Sequence, residues 1–232
     1  EWEVVLVSMD TLSNYVTDIP YIYDKSKNIS PAAMSDIIRL SLLKNHGGIW
    51  ADATMLCMQP LENWVHDAVK ASGFWMYGGQ GAKMQPEIGP ASWFIVSVKN
   101  SYMIRKWKQS CDVYWSNRNT IDDIFWMDGL FKELYNTDVD FKMYWDRIPR
   151  IYCELDGQSH TLATHSMFGI TPHIKELFRK SPPYALKFWK DWTRVVDDPE
   201  KRSDVEHIKQ LNGYYAIEMS KRKWHNEETT NA

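Results

Sequence analysis

The sequence predicts an α/β fold in which a mainly parallel central sheet is flanked by helices. The chain has 232 residues, a length that favours a single domain with a large buried core. Strand-like runs of β-branched and aromatic residues alternate along it with helical patterns, and no internal repeat interrupts them. Such alternation is typical of a parallel sheet whose ligand site lies at the carboxyl ends of its strands.

The first quarter of the chain predicts a strand, a helix and a broken strand. Glu3–Met9 is rich in β-branched residues and predicts a buried strand. A helix is expected over Pro31–His46, because Ser30 suits its N-cap, proline suits its first turn and Gly47 can end it. The next run, Ile49–Met58, predicts a strand, a break and a second strand.

The later elements follow from the same patterns. In chain order we expect a helix in Pro60–Ala71, strands at Phe74–Tyr77 and Ser92–Val98, helices at Tyr102–Tyr114 and Asp122–Tyr135 with Asp122 or Asp123 as the cap, a strand in Ile148–Leu155, a loop at Thr164–Pro172, and short helices at His173–Arg179 and Tyr184–Arg194. Residues 1–196 are expected to form one domain, and residues 197–232 a charged helix and tail. The chain opens without Met in a strand-like run, so we expect a fragment of a longer or processed protein.

Composition excludes several classes of function. A net charge of −3 and a pI of about 6.2 argue against a nucleic-acid-binding surface. The three cysteines are widely spaced and lack a CxxC pair, which argues against a disulfide framework or a usual zinc site. Without an apolar run long enough to cross a membrane or a signal peptide, we expect a cytoplasmic chain. The 12 tryptophans indicate a core built of large rings or platforms on which sugars stack, and both readings stay open.

A charged pair precedes a glycine-rich turn and a strand-end carboxylate. Asp36 and Arg39 are three residues apart and therefore share a helix face. They form either an ordinary surface ion pair, which would contribute little energy, or part of a ligand site. Gly47 and Gly48 remove side chains where the backbone could pass close to a ligand. Asp52 falls at the end of a buried strand, where a carboxylate is costly without a partner. Arginine can fork to phosphate and Asp52 can hold a divalent cation, so this group suits a ligand with phosphate, metal and hydroxyl groups.

These residues carry a resemblance to a known family. The stretch from Ser35 to Thr54 reads SDIIRLSLLKNHGGIWADAT. It resembles the pattern SDxxRxxxLxxxGGxWxDxT, which marks the capsular-polysaccharide-synthesis group of glycosyltransferases, and it is similar to the wider class with a DXD sugar-binding region. The strong likeness covers Ala32 to Pro60, and weaker likeness extends over most of the chain.

The resemblance implies a GT-A (Rossmann-like) fold and a nucleotide-sugar donor. Donor-binding residues would be Asp36, Arg39, Gly48, Trp50 and Asp52. Apart from the motif, the charge of Lys187 could offset that of the diphosphate, and the alternative is a solvated lysine. Asp52 would meet Mn²⁺ or Mg²⁺ as the first carboxylate of the DXD-like motif. Thr54 replaces the second carboxylate and is a weaker ligand. Enzymes of this class usually begin with a strand that lines the nucleobase pocket, well before the equivalent of Glu3–Met9. The given sequence starts after that point, so we expect either that this strand has been removed or lost, or that the base is held differently.

Two further residues are candidates for the chemistry. A late loop of the class often supplies a third metal or diphosphate ligand, and His165 is the best-placed histidine, although a lone histidine is often structural. If the reaction inverts the anomeric centre, a general base is required. Asp128 lies in an aromatic-rich helical stretch where burial can raise its pKa. Otherwise Asp128 would bind acceptor hydroxyls, or would only cap a helix.

The predicted function is transfer of a hexose or deoxyhexose from a nucleotide sugar, UDP-sugar favoured, to a hydroxyl of a glycan acceptor. Four tryptophans are expected to line the donor or acceptor site: Trp50, Trp75, Trp93 and Trp126. One alternative is a catalytically idle nucleotide-sugar-binding module with further domains of the same polypeptide. A second alternative is a glycoside hydrolase that uses two carboxylates and needs neither metal nor nucleotide.

Overall fold

The computed structural model describes residues 2–52, 55–57, 59–78, 90–149, 154–155, 158–159 and 184–187. The chain divides into two compact units, the first formed by residues 1–52 and 62–153 and the second by residues 53–61 and 154–232. In the described part of the chain, no helix is both long and apolar enough to cross a membrane.

The described residues of the first unit form a sheet and five α-helices. They are α1 (Pro31–His46), β1 (Gly48–Ala51), α2 (Val65–Val69), β3 (Phe74–Gly78), β4 (Pro90–Ser97), α3 (Tyr102–Ser116), α4 (Trp126–Thr137) and α5 (Val139–Arg147), with single 3₁₀ turns at Leu12–Asn14 and Pro20–Tyr23. The second unit contains β2 (Met55–Cys57), β5 (Glu154–Leu155), β6 (Gln158–Ser159) and β7 (Ala185–Lys187).

The prediction of an α/β fold is confirmed, but the prediction of a mainly parallel GT-A sheet is not. The sheet of the first unit has the order β1-β4-β3, and β4 pairs antiparallel with both neighbours. Every other strand pair that the structure describes is antiparallel as well. Consecutive strands such as β3 and β4 can pair directly in this way, whereas a parallel pair needs a long crossover. Alternating strands and helices do not reveal that pairing.

The strand predicted over Glu3–Met9 is wrong. The structure has no strand there, and the side chains of Val4 and Leu6 are almost fully exposed. The residues have the right composition, but β-propensity only measures how well a residue fits a pleated, half-buried surface. No described strand pairs with this segment, so its propensity has no sheet to act on.

Helix α1 forms as predicted and is fixed at both ends. The Ser30 hydroxyl accepts a hydrogen bond from the backbone N–H of Ala33 at 3.2 Å, and Pro31 occupies the first turn. Gly47 ends the helix with a positive φ of 75°, and a Cβ there would lie 2.6 Å from the backbone nitrogen of Lys99. Only glycine fits both conditions, so the turn into β1 depends on it.

Other predicted helices need adjustment. Helix α3 is confirmed and capped by Ser101. Helix α4 begins at Trp126 rather than Asp122, because the Asp123 carboxylate accepts the N–H of Phe125 and forms a turn before the helix. Helix α5 was not predicted, and Asp138 caps it. The helix expected in Pro60–Ala71 is reduced to a 3₁₀ turn at Leu61–Asn63 and the short α2.

The aromatic residues form much of the core of the first unit. Trp75, Trp107, Trp115 and Trp145 are fully buried. Phe131 lies at 4.9 Å, centroid to centroid, from the rings of Trp107, Phe141 and Trp145. Edge-to-face packing of this kind is the preferred geometry of buried rings. The core reading of the aromatic content is therefore confirmed for these residues.

The second unit has short strands. Met55–Cys57 pairs with Ala185–Lys187, and Glu154–Leu155 pairs with Gln158–Ser159. The helix expected at Tyr184–Arg194 is wrong over residues 185–187, which form a strand because they pair with β2. Of the strand expected in Ile148–Leu155, the last two residues are in β5 and Ile148 caps α5. The loop at 164–172, the helix at 173–179 and the tail at 197–232 lie outside the described residues.

Candidate functional site

Arg39 is the centre of the candidate site in the first unit. Its NH2 nitrogen lies 3.0 Å from Asp36 Oδ1 and 3.7 Å from Asp52 Oδ1. Its NH1 nitrogen donates to the carbonyl oxygen of Ser92 at 2.7 Å. These contacts join α1, the end of β1 and β4. Because only 6% of Arg39 is exposed, the pair predicted from its spacing is a buried cluster and not a surface ion pair.

Trp50, in β1, and Asp52, which directly follows β1, complete the cluster. The indole N–H of Trp50 donates to Asp52 Oδ1 at 3.0 Å, and the guanidinium carbon of Arg39 lies 5.1 Å from the Trp50 ring centroid. The backbone N–H of Asp52 donates to the carbonyl of Trp93 at 2.9 Å. The β-ladder hydrogen bonding therefore reaches one residue beyond β1 and holds the Asp52 backbone, as expected for a strand-end carboxylate.

Gly48 is not brought to this cluster. It opens β1, and Asp52 follows the other end of the same strand, about 13 Å away at ~3.3 Å per residue. Its φ is 95°, and a Cβ on it would meet no atom within 4 Å. Backbone conformation alone accounts for glycine at this position, and its predicted role in donor binding stays a prediction.

Asp36 is held in a poorly solvated and crowded environment. Burial raises its pKa to about 6, and the charge of Asp52 adds to the effect. The Arg39 guanidinium and a hydrogen bond from the Trp126 side chain oppose the rise. Both opposing groups stabilise the charged form, so Asp36 is a carboxylate that titrates close to neutral pH.

Asp128 occupies the first turn of α4 and shares this electrostatic environment. Its pKa is raised to about 7, mainly by burial and also by the charges of Asp36 and Asp123, against the lowering effect of Arg39. The sequence led us to expect that burial would shift Asp128 in this direction. Two carboxylates with raised pKa values beside one arginine form the kind of arrangement that is concentrated in functional sites.

The remaining predicted residues are not assembled by the described structure. Thr54 and His165 lie outside the described residues. Lys187 is in β7 of the second unit. In the part of the chain that is described, no three His, Cys, Asp or Glu side chains are grouped to hold a metal. Asp52 offers hard oxygen atoms of the kind that Mn²⁺ and Mg²⁺ prefer. The described residues can therefore supply one protein ligand to such a metal.

The predicted tryptophans lie in different surroundings. Trp75 is fully buried, and its indole N–H donates to the Pro149 carbonyl at 2.9 Å, so it is a core residue. Trp93 stacks on Tyr77 with ring centroids 5.0 Å apart, and its buried indole N–H has no hydrogen-bond partner among the described residues. Trp126 binds Asp36, and Trp50 binds Asp52. The last two belong to the site.

Sequence reasoning missed two of the contacts that form the cluster. The Ser92 carbonyl is a backbone acceptor and therefore carries no signal in the amino-acid sequence. Trp126 was expected to line the site, but its hydrogen bond to Asp36 depends on how α4 packs near α1. The aromatic residues just before Asp128 were the only available signal.

Comparison with known proteins supplies the family. A family model described as capsular polysaccharide synthesis protein matches residues 1–169, which is more than half of the chain. Neither the search of curated proteins nor the search of solved structures found a match. The matched range includes the whole Arg39 cluster and Asp128. The chain belongs to the capsular polysaccharide synthesis protein family, which indicates a role in polysaccharide biosynthesis.

Proposed function

We propose that this chain is a divalent-metal-assisted glycosyltransferase. It moves a hexose or deoxyhexose from a nucleotide sugar, with a UDP-sugar favoured, to a hydroxyl of a glycan acceptor. The observation that carries the proposal is the convergence of Asp36, Trp50 and Asp52 on Arg39, because all four lie in the motif that resembles a nucleotide-sugar-binding region. Membership of a polysaccharide-synthesis family supports the same reaction class.

The carboxylates would orient the donor. Ionised Asp36 and Asp52 are acceptors only, and each can receive hydrogen bonds from sugar or ribose hydroxyls. Both side chains keep some exposure, 18% and 28%, whereas the shared arginine has 7%. Hydrogen bonds to these carboxylates in a poorly solvated site would fix the donor in one pose, which lowers the entropic barrier to reaction.

A bound Mn²⁺ or Mg²⁺ would offset the charge that develops on the diphosphate leaving group. Asp52 is the described residue that would hold it, and Thr54 and His165 are the proposed additional ligands. Since Thr54 is neutral, Asp52 would be the one carboxylate of the motif. Lys187 is proposed as a cation for the diphosphate.

Asp128 is the proposed catalytic residue. A general base works best when its pKa is near the working pH, and the pKa of Asp128 is raised to about 7 by burial. In an inverting reaction its carboxylate would take the proton from the acceptor hydroxyl. In a retaining reaction it would bind acceptor hydroxyls without that transfer.

Two other functions compete with this one. Thr54, in place of a carboxylate, favours an idle nucleotide-sugar-binding module that works with other domains of the same polypeptide. Asp36 and Asp128, two carboxylates with raised pKa values, favour a glycoside hydrolase, since such enzymes pair an acid with a base or nucleophile. Calorimetric titration with UDP-sugars and Mn²⁺, followed by a turnover assay, separates these functions. Binding with acceptor-dependent release of UDP supports the transferase, binding without turnover supports the module, and glycan cleavage in EDTA supports the hydrolase.

A further inference from the structure

Arg39 is the best-connected residue of the candidate site and is nearly hidden from solvent. We propose that Arg39 is a positioning residue, which fixes the carboxylates of Asp36 and Asp52 relative to each other and does not hold the donor diphosphate. This inference rests on the proposed function and changes the role that the sequence motif suggests for this arginine.

The contacts of the guanidinium are with the protein on both terminal nitrogens. NH1 donates to the Ser92 carbonyl at 2.7 Å. NH2 lies 3.0 Å from Asp36 Oδ1 and 3.4 Å from the Ser35 hydroxyl, with Asp52 Oδ1 at 3.7 Å. An arginine that binds a phosphate presents its planar fork to the ligand. Here the fork is directed at a backbone carbonyl and at side chains.

The arginine is more deeply buried than its two carboxylate partners. The Arg39 side chain is 7% exposed, whereas those of Asp36 and Asp52 are 18% and 28% exposed. Arg39 Nε is also buried, and no hydrogen-bond partner for it is present in the described part of the chain. The carboxylates therefore offer more surface to a ligand than the arginine does. The guanidinium also has a protein ring beside it, since its carbon lies 5.1 Å from the centroid of the Trp50 ring.

The charge of Arg39 has a clear task within the protein. Asp36, Asp52 and Asp128 are acidic groups whose charges interact, and Arg39 lowers the pKa of both Asp36 and Asp128. Without this cation, Asp36 and Asp128 would resist ionisation more strongly. Arg39 thus favours the ionised forms of Asp36 and Asp128 and fixes the positions of Asp36 and Asp52, and a donor would bind to the carboxylates.

The test compares Arg39→Gln with Arg105→Gln, which removes an exposed arginine of α3. For each variant we would measure the dissociation constants of UDP and of uridine without metal, kcat, and the pH dependence of kcat. For Arg39→Gln we expect the preference for UDP over uridine to stay within threefold of wild type, kcat to be at least tenfold lower, and the midpoint of the pH profile to move to higher pH. Arg105→Gln should leave all of these unchanged. A tenfold loss of the preference for UDP over uridine with an unmoved pH profile would overturn the inference.

If Arg39→Gln does not fold, a second variant, Arg39→Lys, provides the test. Arg39→Lys keeps the charge but cannot span the Ser92 carbonyl and Asp36 as a fork. We expect it to lose kcat at least tenfold while the pH midpoint stays near the wild-type value. A wild-type kcat for Arg39→Lys would contradict the inference, because the guanidinium fork would then not be needed to position the carboxylates for catalysis.

The inference can fail separately from the proposed function. If the wild-type protein neither binds UDP nor turns over a nucleotide sugar, the proposed function fails. The positioning role is then tested by denaturant unfolding of Arg39→Lys, Asp36→Asn and the double variant. Non-additive losses of stability support positioning through Asp36, and additive losses overturn it.

Discussion

Two buried cations of the first unit have opposite electrostatic surroundings. Lys108 is 1% exposed and lies 2.7 Å from both carboxylate oxygens of Asp112, with Asp18 at 3.7 Å. Asp18 also receives hydrogen bonds from Ser41, Lys44 and Asn45. In this network, two lysines face two carboxylates. In the Arg39 cluster, one arginine faces Asp36 and Asp52, with Asp128 within electrostatic reach.

The pKa values follow this balance of charge. Burial works against the charged form of Asp18, but the hydrogen bonds from Ser41 and Lys44, together with the lysine charges, hold its pKa at about 2. Burial raises the pKa of Asp36 to about 6 and that of Asp128 to about 7. A balanced network stabilises its ions and therefore serves the fold. An unbalanced network retains groups that can exchange protons and bind polar ligands near neutral pH, which suits a functional site.

The largest expected effect is on Asp52. In Asp52→Ala, we expect kcat for glycosyl transfer to fall by about 10³-fold, because the strand-end carboxylate that orients the donor and the metal is removed. Released nucleoside diphosphate measures the rate. Asp122→Ala, which removes an exposed carboxylate paired with Arg118, is the control. A wild-type rate in Asp52→Ala would remove this residue from the site.

Asp128→Asn should have the next largest effect, a fall in kcat of about 10²-fold if the residue acts as a general base. The wild-type rate should rise with pH and level off above pH 7, because the carboxylate must lose its proton to act. A pH–rate profile of both proteins checks this. An unchanged profile in the variant would assign the titrating group to another residue.

The two clusters should give stability opposite dependences on pH. Asp36 and Asp128 bind protons more tightly in the folded than in the unfolded protein, so the free energy of unfolding should fall as pH rises from about 4 to about 7. Asp18 has a lowered pKa, so its contribution is present above about pH 4 and is lost as pH falls towards 2. Urea unfolding across this range measures both slopes. Stability that keeps rising from pH 4 to 7 would contradict the raised pKa values.

Lys108→Met should destabilise the protein by about 2 kcal/mol, because it leaves Asp112 and Asp18 without their buried cation. We expect a smaller loss of stability than for a fully buried ion pair, since the Asp112 side chain is 40% exposed. Transfer activity per folded molecule should not change. Urea unfolding and kcat measured on the same sample test both statements, and a lowered kcat with normal stability would place Lys108 in the site.

The smallest effect should come from the helix that carries both clusters. Ser30 caps α1, which contains Asp36 and Arg39 of one cluster and Ser41 and Lys44 of the other. Ser30→Ala should cost about 1 kcal/mol of stability. The pH slopes should stay as in wild type, and Ser30→Asp should restore most of the loss. A changed pH slope would mean that the cap positions one cluster specifically.

The same two clusters show what the sequence can predict. Asp36, Arg39 and Asp52 lie within one continuous motif, so their spacing and the resemblance identified them as a group. Lys108 lies 90 residues from Asp18, and a lysine in an amphipathic helix looks like a surface residue. These charges come together because the segment that carries Asp18 packs against both α1 and α3, and no local pattern records that packing.

Element boundaries were predicted well where a local signal exists. The cap at Ser30, the glycine at 47 and the strand end at Asp52 are short-range features, and all three are found. Strand pairing is a long-range property, which is why the antiparallel sheet was missed. Glu3–Met9 shows the same limit, because a strand-like composition does not supply a partner strand.

The most direct test of the central claim is a panel of nucleotide sugars, read by released nucleoside diphosphate, with Mn²⁺ and after its removal by EDTA. We expect metal-dependent release of nucleoside diphosphate from at least one donor, with a UDP-hexose favoured, and faster release when a glycan acceptor is added. No release from any donor, or equal release with and without metal, would contradict it.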